Sequence, residues 1–258
     1  MCDAAAGRLL PKVRMTSRVI QGMHVTPLHP WDLPPSDAVA LQRELASRLS
    51  ETDAIRSVNA ARLIGGLDVS SVKDSPLLTA GVVVWNRETG QVTATAWAQG
   101  DQTFPYVPGL LSFREIPILA SALEKLSAAP DILMVDGQGQ AHPRRLGIAA
   151  HLGLLVDIPT IGVAKSILCG HGEDPPAEAG AWRPLLYRGA EIGRILRTKA
   201  TAKPVYVSAG NRIRLETAAD IAMACARGYR LPEPTRLAHL FVNRVRTGQP
   251  EEAQLTLL

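Results

Sequence analysis

The 258-residue chain predicts an α/β fold on one mixed sheet, three antiparallel strands first and then parallel strands reached through helices. Three observations lead there. Residues 63–70, 79–85 and 91–97 are strand-like runs joined by links too short for a helical crossover. From Ser112 onward the pattern becomes helix, strand, helix, strand with short links, which is how parallel strands are connected. With 46% hydrophobic and 20% charged residues the chain can bury a substantial core, and wholesale disorder is excluded.

The elements follow in order. Residues 1–35 read as a poorly structured extension with Pro11, Pro27, Pro30, Pro34 and Pro35 and no sustained periodicity. It lacks the apolar centre of a secretory signal, and Asp3 argues against a transit peptide. Met15 and Met23 offer later starts. Residues 36–258 are expected to form a single domain. Ser36 opens a helix with Val39, Leu41, Leu45 and Leu49 near helical spacing. Of the first three strands, 79–85 is a buried apolar run, and 91–97 alternates after the Glu88-Thr89-Gly90 turn. Helices are expected over 112–128 and 143–156, each followed by a short apolar strand, 131–135 and 159–163 in sequence order being the two strands. A Pro/Gly/Glu loop over 172–180 precedes a hairpin (182–188 and 191–197) and a strand over 205–208. Helices over 217–227 and 235–246 close the pattern.

The net charge is +4, but residues 183–214 alone carry +7. That is either a solvated basic surface or the footprint of a polyanion such as nucleic acid. The three cysteines, Cys2, Cys169 and Cys225, are far apart and have no CxxC spacing. This speaks against a disulfide framework or zinc knuckle and for a reducing, cytoplasmic setting. No apolar run approaches the roughly 18–20 residues of a membrane span.

Three acids stand out. Asp68 interrupts an apolar strand, where an unpaired carboxylate is costly. Asp136 ends the strand Ile132-Leu133-Met134-Val135, and strand carboxyl ends open onto the ligand crevice of α/β sheets. Glu115 lies in the first turn of a helix. Singly they can be an ion-pair partner, an Asp-Gly turn and a helix-dipole partner. Together they call for a cation, and hard oxygen ligands select Mg²⁺, with Mn²⁺ able to substitute. Such an ion beside basic residues suits phosphodiester hydrolysis.

Other candidates surround them. Gly137-x-Gly139 follows a strand as a dinucleotide loop does, but His142 stands where the third glycine belongs. Pro143 reads instead as a first helical residue, with Arg144 and Arg145 facing an anion. Lys165 follows an apolar strand and can be a surface lysine or can neutralise charge on a phosphate. His239 shares a polar helix face with Arg236 and Asn243 and can be solvated, a general base or an orienter of water. Pro105-Tyr106-Val107-Pro108-Gly109 is either a packed turn or a stiff wedge for a base stack.

These stretches resemble the endonuclease V family. The resemblance rests on Gly66-Leu67-Asp68-Val69-Ser70 and on the run from Pro105 through Leu110-Leu111-Ser112-Phe113-Arg114-Glu115. It continues through Asp136–Arg145, Pro159–Lys165, Lys203-Pro204-Val205-Tyr206-Val207-Ser208 and Pro232-Glu233-Pro234-Thr235-Arg236-Leu237-Ala238-His239. It implies a ribonuclease-H-like fold and Mg²⁺ held by Asp68, Asp136 and Glu115. Tyr106, with Pro105 and Pro108, is implied as the wedge, and Gly109, Leu111 and Gly137 as the lining of a hypoxanthine pocket. Lys165, His142 and His239 are implied as auxiliaries of the catalytic site. The implied reaction cuts the second phosphodiester bond 3′ to deoxyinosine, leaving 3′-hydroxyl and 5′-phosphate ends, in DNA repair by a monomer. The chain departs from the family pattern at Ser208-Ala209-Gly210-Asn211, where Ser-Pro-Gly-His is frequent. Three other readings remain: an inosine-directed ribonuclease acting mainly on RNA, a nucleotide-dependent oxidoreductase using Gly137-x-Gly139, and a nucleic-acid-binding relative without activity.

Overall fold

The computed structural model describes residues 23–72 and 75–249. Its centre is an eight-stranded sheet in the order β3-β2-β1-β4-β5-β8-β7-β6. Strands β1 (Leu63–Ser71), β2 (Leu77–Asn86) and β3 (Val92–Asp101) form the expected antiparallel meander. Helix α2 (Leu111–Leu123) then carries the chain over the sheet, so that β4 (Ile132–Val135) lies parallel to β1. Helix α3 (Ile148–Leu155) makes the next crossover to β5 (Thr160–Ala164), parallel to β4.

Parallel pairing stops there. The hairpin of β6 (Trp182–Tyr187) and β7 (Ala190–Leu196), which the sequence left unplaced, extends the main sheet. It does so through β8 (Val205–Ala209), antiparallel to both β5 and β7. Arg188 and Gly189, at φ 52° and 80°, give the hairpin turn the left-handed backbone that matches strand twist.

The sheet has an apolar layer on each face. Leu67, Val82, Leu133 and Val135 meet Ile116 and Leu119 of α2 and Leu152 of α3 on one side. Ile64, Val83, Met134 and Val163 meet Ile221 of α4 (Leu215–Ala224) and Leu237 and Phe241 of α5 (Glu233–Arg246) on the other. Helix α1 (Pro35–Ala46) packs outside α3.

Two expectations are revised. The helix anticipated from Pro143 begins at Ile148 instead, because residues 141–147 form turns. Arg145 there adopts φ 62°, and its N–H bonds the His142 carbonyl at 2.9 Å, geometry that a continuing helix cannot contain. The proline-rich extension divides in two. Residues 1–22 lie outside the described residues, while 23–34 have no helix or strand but pack against the domain. Met23 and Val25 are buried, and the N–H groups of Met23 and Thr26 reach the carbonyls of Leu126 and Leu155. His29 Nε2 lies 2.8 Å from Nε2 of the buried His151.

Helix α5 lies against bare backbone. A Cβ at Gly66 of β1 would fall 1.9 Å from the Pro234 carbonyl oxygen, and one at Gly81 of β2 would crowd Phe241 and Val242 at 3.1 and 3.2 Å. This approach is why both positions are glycine. Gly66→Ala is therefore expected to cost at least about 1–3 kcal/mol. Thermal unfolding checks it, and a melting temperature equal to that of the unsubstituted chain would contradict the close-approach account.

Candidate active site

The parallel register of β1 and β4 places the two aspartates side by side. Leu67 pairs with Val135, and Asp68 and Asp136 each follow by one residue. The Asp136 N–H donates to the Leu67 carbonyl at 3.0 Å. Helix α5, seated on Gly66, brings His239 to the same point, where its Nδ1 donates to Asp68 Oδ2 at 2.8 Å. Asp68, Asp136 and His239 offer ligand atoms that all lie within 4.8 Å of one another, the one such group among the described residues.

The carboxylates are largely enclosed, their side chains only 11% and 9% exposed. Burial and the neighbouring Asp136 push the Asp68 carboxyl up to about 6, against the pull of His239 and Lys165. Glu115, on α2, stands outside the tight group, yet burial and the charge of Asp68 raise it to about 8. Lys165, at the end of β5, puts Nζ 2.5 Å from Asp136 Oδ2. That buried oxygen has no hydrogen-bond partner, so the contact is ionic. Mutually repelling, incompletely satisfied carboxylate oxygens fit a hard divalent cation.

His239 is held from both sides. Asn243, one turn on, donates to His239 Nε2 at 3.3 Å and to its carbonyl at 2.8 Å. Ser70 donates to Asn243 Oδ1 at 3.2 Å. With Nδ1–H on Asp68, Nε2 is the atom that carries the lone pair.

The proline loop stands apart from this cluster. Tyr106 is 71% exposed, with the Arg114 guanidinium 5.7 Å from its ring centroid. The loop is fixed through one carbonyl. Gly109 O accepts from Gln42 Nε2 at 3.0 Å, His142 Nε2 at 2.9 Å and Arg144 Nη2 at 2.8 Å. Gly109 itself has φ 80°, and a Cβ there would meet Arg144 at 2.8 Å. His142 spends both ring nitrogens on this arrangement, since Nδ1 accepts the Arg144 N–H at 3.1 Å. Burial and Arg144 lower it to about 4, so it is neutral. Its place is in the support of the loop.

Behind Tyr106 lies a cleft of about 120 Å³ whose walls include Gly109, Leu111, Ser112, Gln138, Ile148 and Leu168. Gly137 does not line it; a Cβ there would strike Ile148 at 2.6 Å, so the glycine lets α3 approach. Arg144 and Arg145 are engaged within the protein, Arg144 with Gly109 and Gln42 and Arg145 with Gln140 and Glu51. Asn211 is buried and structural. It accepts the Ser50 N–H at 2.8 Å and donates to the Gly153 carbonyl at 2.6 Å.

Several contributors escaped the sequence reading. Gln42, fully buried, was hidden among the apolar residues of α1, and only its polarity on that face could have flagged it. Asn243, by contrast, was already placed on the helix face of His239, and its i+4 spacing is what makes it a partner. Gln138 and Leu168 reach the cleft from two loops, and nothing local marks them.

The family model described as Endonuclease V matches residues 43–240. Endonuclease V of Trichormus variabilis is 46% identical over 216 residues, covering 84% of this chain and 97% of its own. The crystal structure of Endonuclease V from Streptomyces avermitilis superposes with a TM-score of 0.81 at 40% identity, over 86% of this chain and 97% of that one. Ciona intestinalis Endonuclease V, solved in complex with a 24mer DNA containing an inosine followed by a ribo-adenosine, gives a TM-score of 0.72 at 26% identity, over 83% and 97% of the two chains. Matched by the family model over residues 43–240 and 46% identical to a relative over 84% of its length, this chain belongs to the Endonuclease V family, a family of nucleic-acid endonucleases.

Proposed function

We propose that the protein recognises hypoxanthine in a DNA strand and hydrolyses the second phosphodiester bond 3′ to it, leaving 3′-hydroxyl and 5′-phosphate ends, in the repair of deaminated adenine. The observation that carries this reading is the approach of Asp68, Asp136 and His239 to within 4.8 Å beside a cleft capped by an exposed tyrosine. The inosine-containing DNA bound to the Ciona protein supports the choice of base.

Asp68 and Asp136 would hold Mg²⁺, or Mn²⁺ in its place, with Glu115 acting from the α2 side. When bound, the cation would polarise the phosphoryl oxygen and acidify water. The chain's own groups do the rest. The Asp68 carboxylate orients the His239 ring through Nδ1–H, and Nε2 accepts the proton of the attacking water in exchange for its long 3.3 Å contact with Asn243, whose amide keeps its bond to the His239 carbonyl. The P–O3′ bond breaks, and the departing O3′ takes a proton from solvent. Lys165 sets positive charge against the phosphate.

Tyr106, stiffened by Pro105 and Pro108, would fill the gap left by the extruded base. Gly109 and Leu111 would line the pocket, with His142 and Arg144 fixing the loop. In hypoxanthine the amino donor of adenine becomes an acceptor, and a buried donor–acceptor mismatch costs about 1–3 kcal/mol. Among the described residues no helix is long and apolar enough to cross a membrane. The free thiols of Cys169 and Cys225 are compatible with work in the cytoplasm, which we infer to be done by a monomer.

The direct test is nicking of end-labelled inosine-containing DNA and RNA, with and without Mg²⁺. Mg²⁺-dependent cutting one bond beyond the inosine's own 3′ phosphodiester is the expected result, and stronger cutting of RNA would move the substrate to inosine RNA. Asp68→Ala and Asp136→Ala should each lower the rate at least on the order of 100-fold while leaving binding largely intact. Normal turnover in either variant refutes the cation assignment.

Binding of Mg²⁺ should also be visible without activity. Ordinary values for Asp68 and Glu115 are 3.8 and 4.5, and the folded protein raises them to about 6 and about 8. The folded state thus binds these protons more tightly. The stability tied to them is complete below about pH 4 and is lost as pH rises towards 8. A divalent cation replaces the protons, so the rise in melting temperature on adding Mg²⁺ should grow between pH 5 and 8. A Mg²⁺ effect that shrinks over that range contradicts the site.

Tyr106→Ala should weaken strand binding or base extrusion and leave the Mg²⁺-induced thermal shift in place. Steady-state kinetics with an unchanged KM and rate would remove the wedge.

A further inference from the structure

A second exposed tyrosine lies on the opposite side of the sheet. Tyr229, in the connection between α4 and α5, is 51% exposed. One face of its ring is covered by the Arg236 guanidinium, 4.3 Å from the centroid. Arg236 is locked in turn by Glu233, with Nε 2.8 Å from Oε2 and Nη2 2.6 Å from Oε1. The result is an aromatic ring braced from behind by a fixed cation and open on its other face.

Its position relates it to the site. The next residue, Arg230, donates from Nη2 to the Lys165 carbonyl at 2.6 Å and to the Pro204 carbonyl at 3.0 Å. That ties the connection to the strand end carrying Lys165, with the exposed Lys203 alongside. Arg236 and His239 are three residues apart on α5, on one face and separated by about 4.5 Å of rise. The cleft behind Tyr106 takes walls from α2 and α3, whereas α5 covers the other face of the sheet, and between them lie Asp68 within β1 and Asp136 just past β4. On the nuclease reading, a strand with one base in the cleft and its backbone across the acids has the α5 side ahead of it, where the Lys165–Arg230 link places the Tyr229 connection.

We propose that Tyr229, backed by Arg236, is a stacking platform for the nucleobase immediately 3′ of the cut, holding the departing side of the strand while the cleft holds the inosine. This rests on the nuclease reading above. Stacking on an aromatic face suits that position because it accepts any base, leaving selectivity to the cleft. Lys165 and Lys203 supply positive charge along the path.

The test uses an inosine oligonucleotide carrying 2-aminopurine at the first position 3′ of the cut. With Ca²⁺ replacing Mg²⁺ to hold the complex uncut, the unsubstituted protein should quench the probe by stacking, and Tyr229→Ala should not. In Mg²⁺, Tyr229→Ala should raise KM roughly 5- to 150-fold with little change in kcat. Tyr229→Phe and Tyr229→Trp should restore both readouts. An abasic residue at the probe position should raise KM for the unsubstituted protein and add nothing in Tyr229→Ala. Unaltered quenching and KM in Tyr229→Ala, failure of the aromatic variants to rescue, or equal abasic penalties in both proteins would overturn the platform while leaving the nuclease reading in place. An unsubstituted protein that leaves the inosine strand intact would overturn both.

Discussion

Two carboxylates side by side on neighbouring strands repel each other. At about 4 Å and an effective dielectric near 20, two unit charges interact by on the order of 4 kcal/mol. Asp68 and Asp136 have ligand oxygens within 4.8 Å of each other and side chains about nine-tenths enclosed, and Glu115 on α2 adds a third carboxyl, which burial and the charge of Asp68 push up to about 8. The surroundings answer that repulsion. Lys165 arrives from β5 and His239 from α5, each taking one aspartate, yet burial first and the neighbouring acids second still hold the carboxyls of Asp68 and Glu115 above their ordinary values. A bound cation would offset both the burial and the mutual repulsion of these carboxylates.

Holding those groups together sets requirements elsewhere. Helix α5 reaches Asp68 only because Gly66 and Gly81 leave room for its backbone, so absent side chains on β1 and β2 govern the position of His239. On the opposite face, Gly137 and Gly147 allow α3 and the loop before it to close in; a Cβ on Gly147 would lie 2.4 Å from the Gln138 carbonyl oxygen. The tyrosine loop is pinned by three donors on one carbonyl, from α1 and from the turn after β4. The acid cluster and the cleft are thus both anchored on the one sheet, the first through its strands and α5, the second through α2, α3 and the pinned loop.

That frame recasts several charged residues. Of the eight cations between residues 183 and 214, Arg194 is buried against Trp182 and Arg197 binds three carbonyls. Arg212 and Arg214 pair with Asp157 and Asp53. Half of the basic stretch therefore serves the fold, and its +7 overstates the charge offered to a polyanion. Arg144 and Arg145 were similarly diverted, from an expected anion site to bracing of the loop and its neighbours.

The sequence by itself determined the local elements and the identity of the chemistry. Alternation and apolar runs marked the strands, helical spacing marked the presence of the helices more closely than their ends, and Asp68 and Asp136 announced themselves, one by interrupting an apolar strand and the other by ending one. Those signals are local, set by which side chains a strand or helix can bury. Tertiary structure decided the return to antiparallel pairing at β8, the late start of α3, the replacement of Glu115 by His239 in the tightest group, and the inward use of His142 and Arg144. Each depends on atoms distant in the chain meeting within hydrogen-bond reach, which residue type and spacing do not encode.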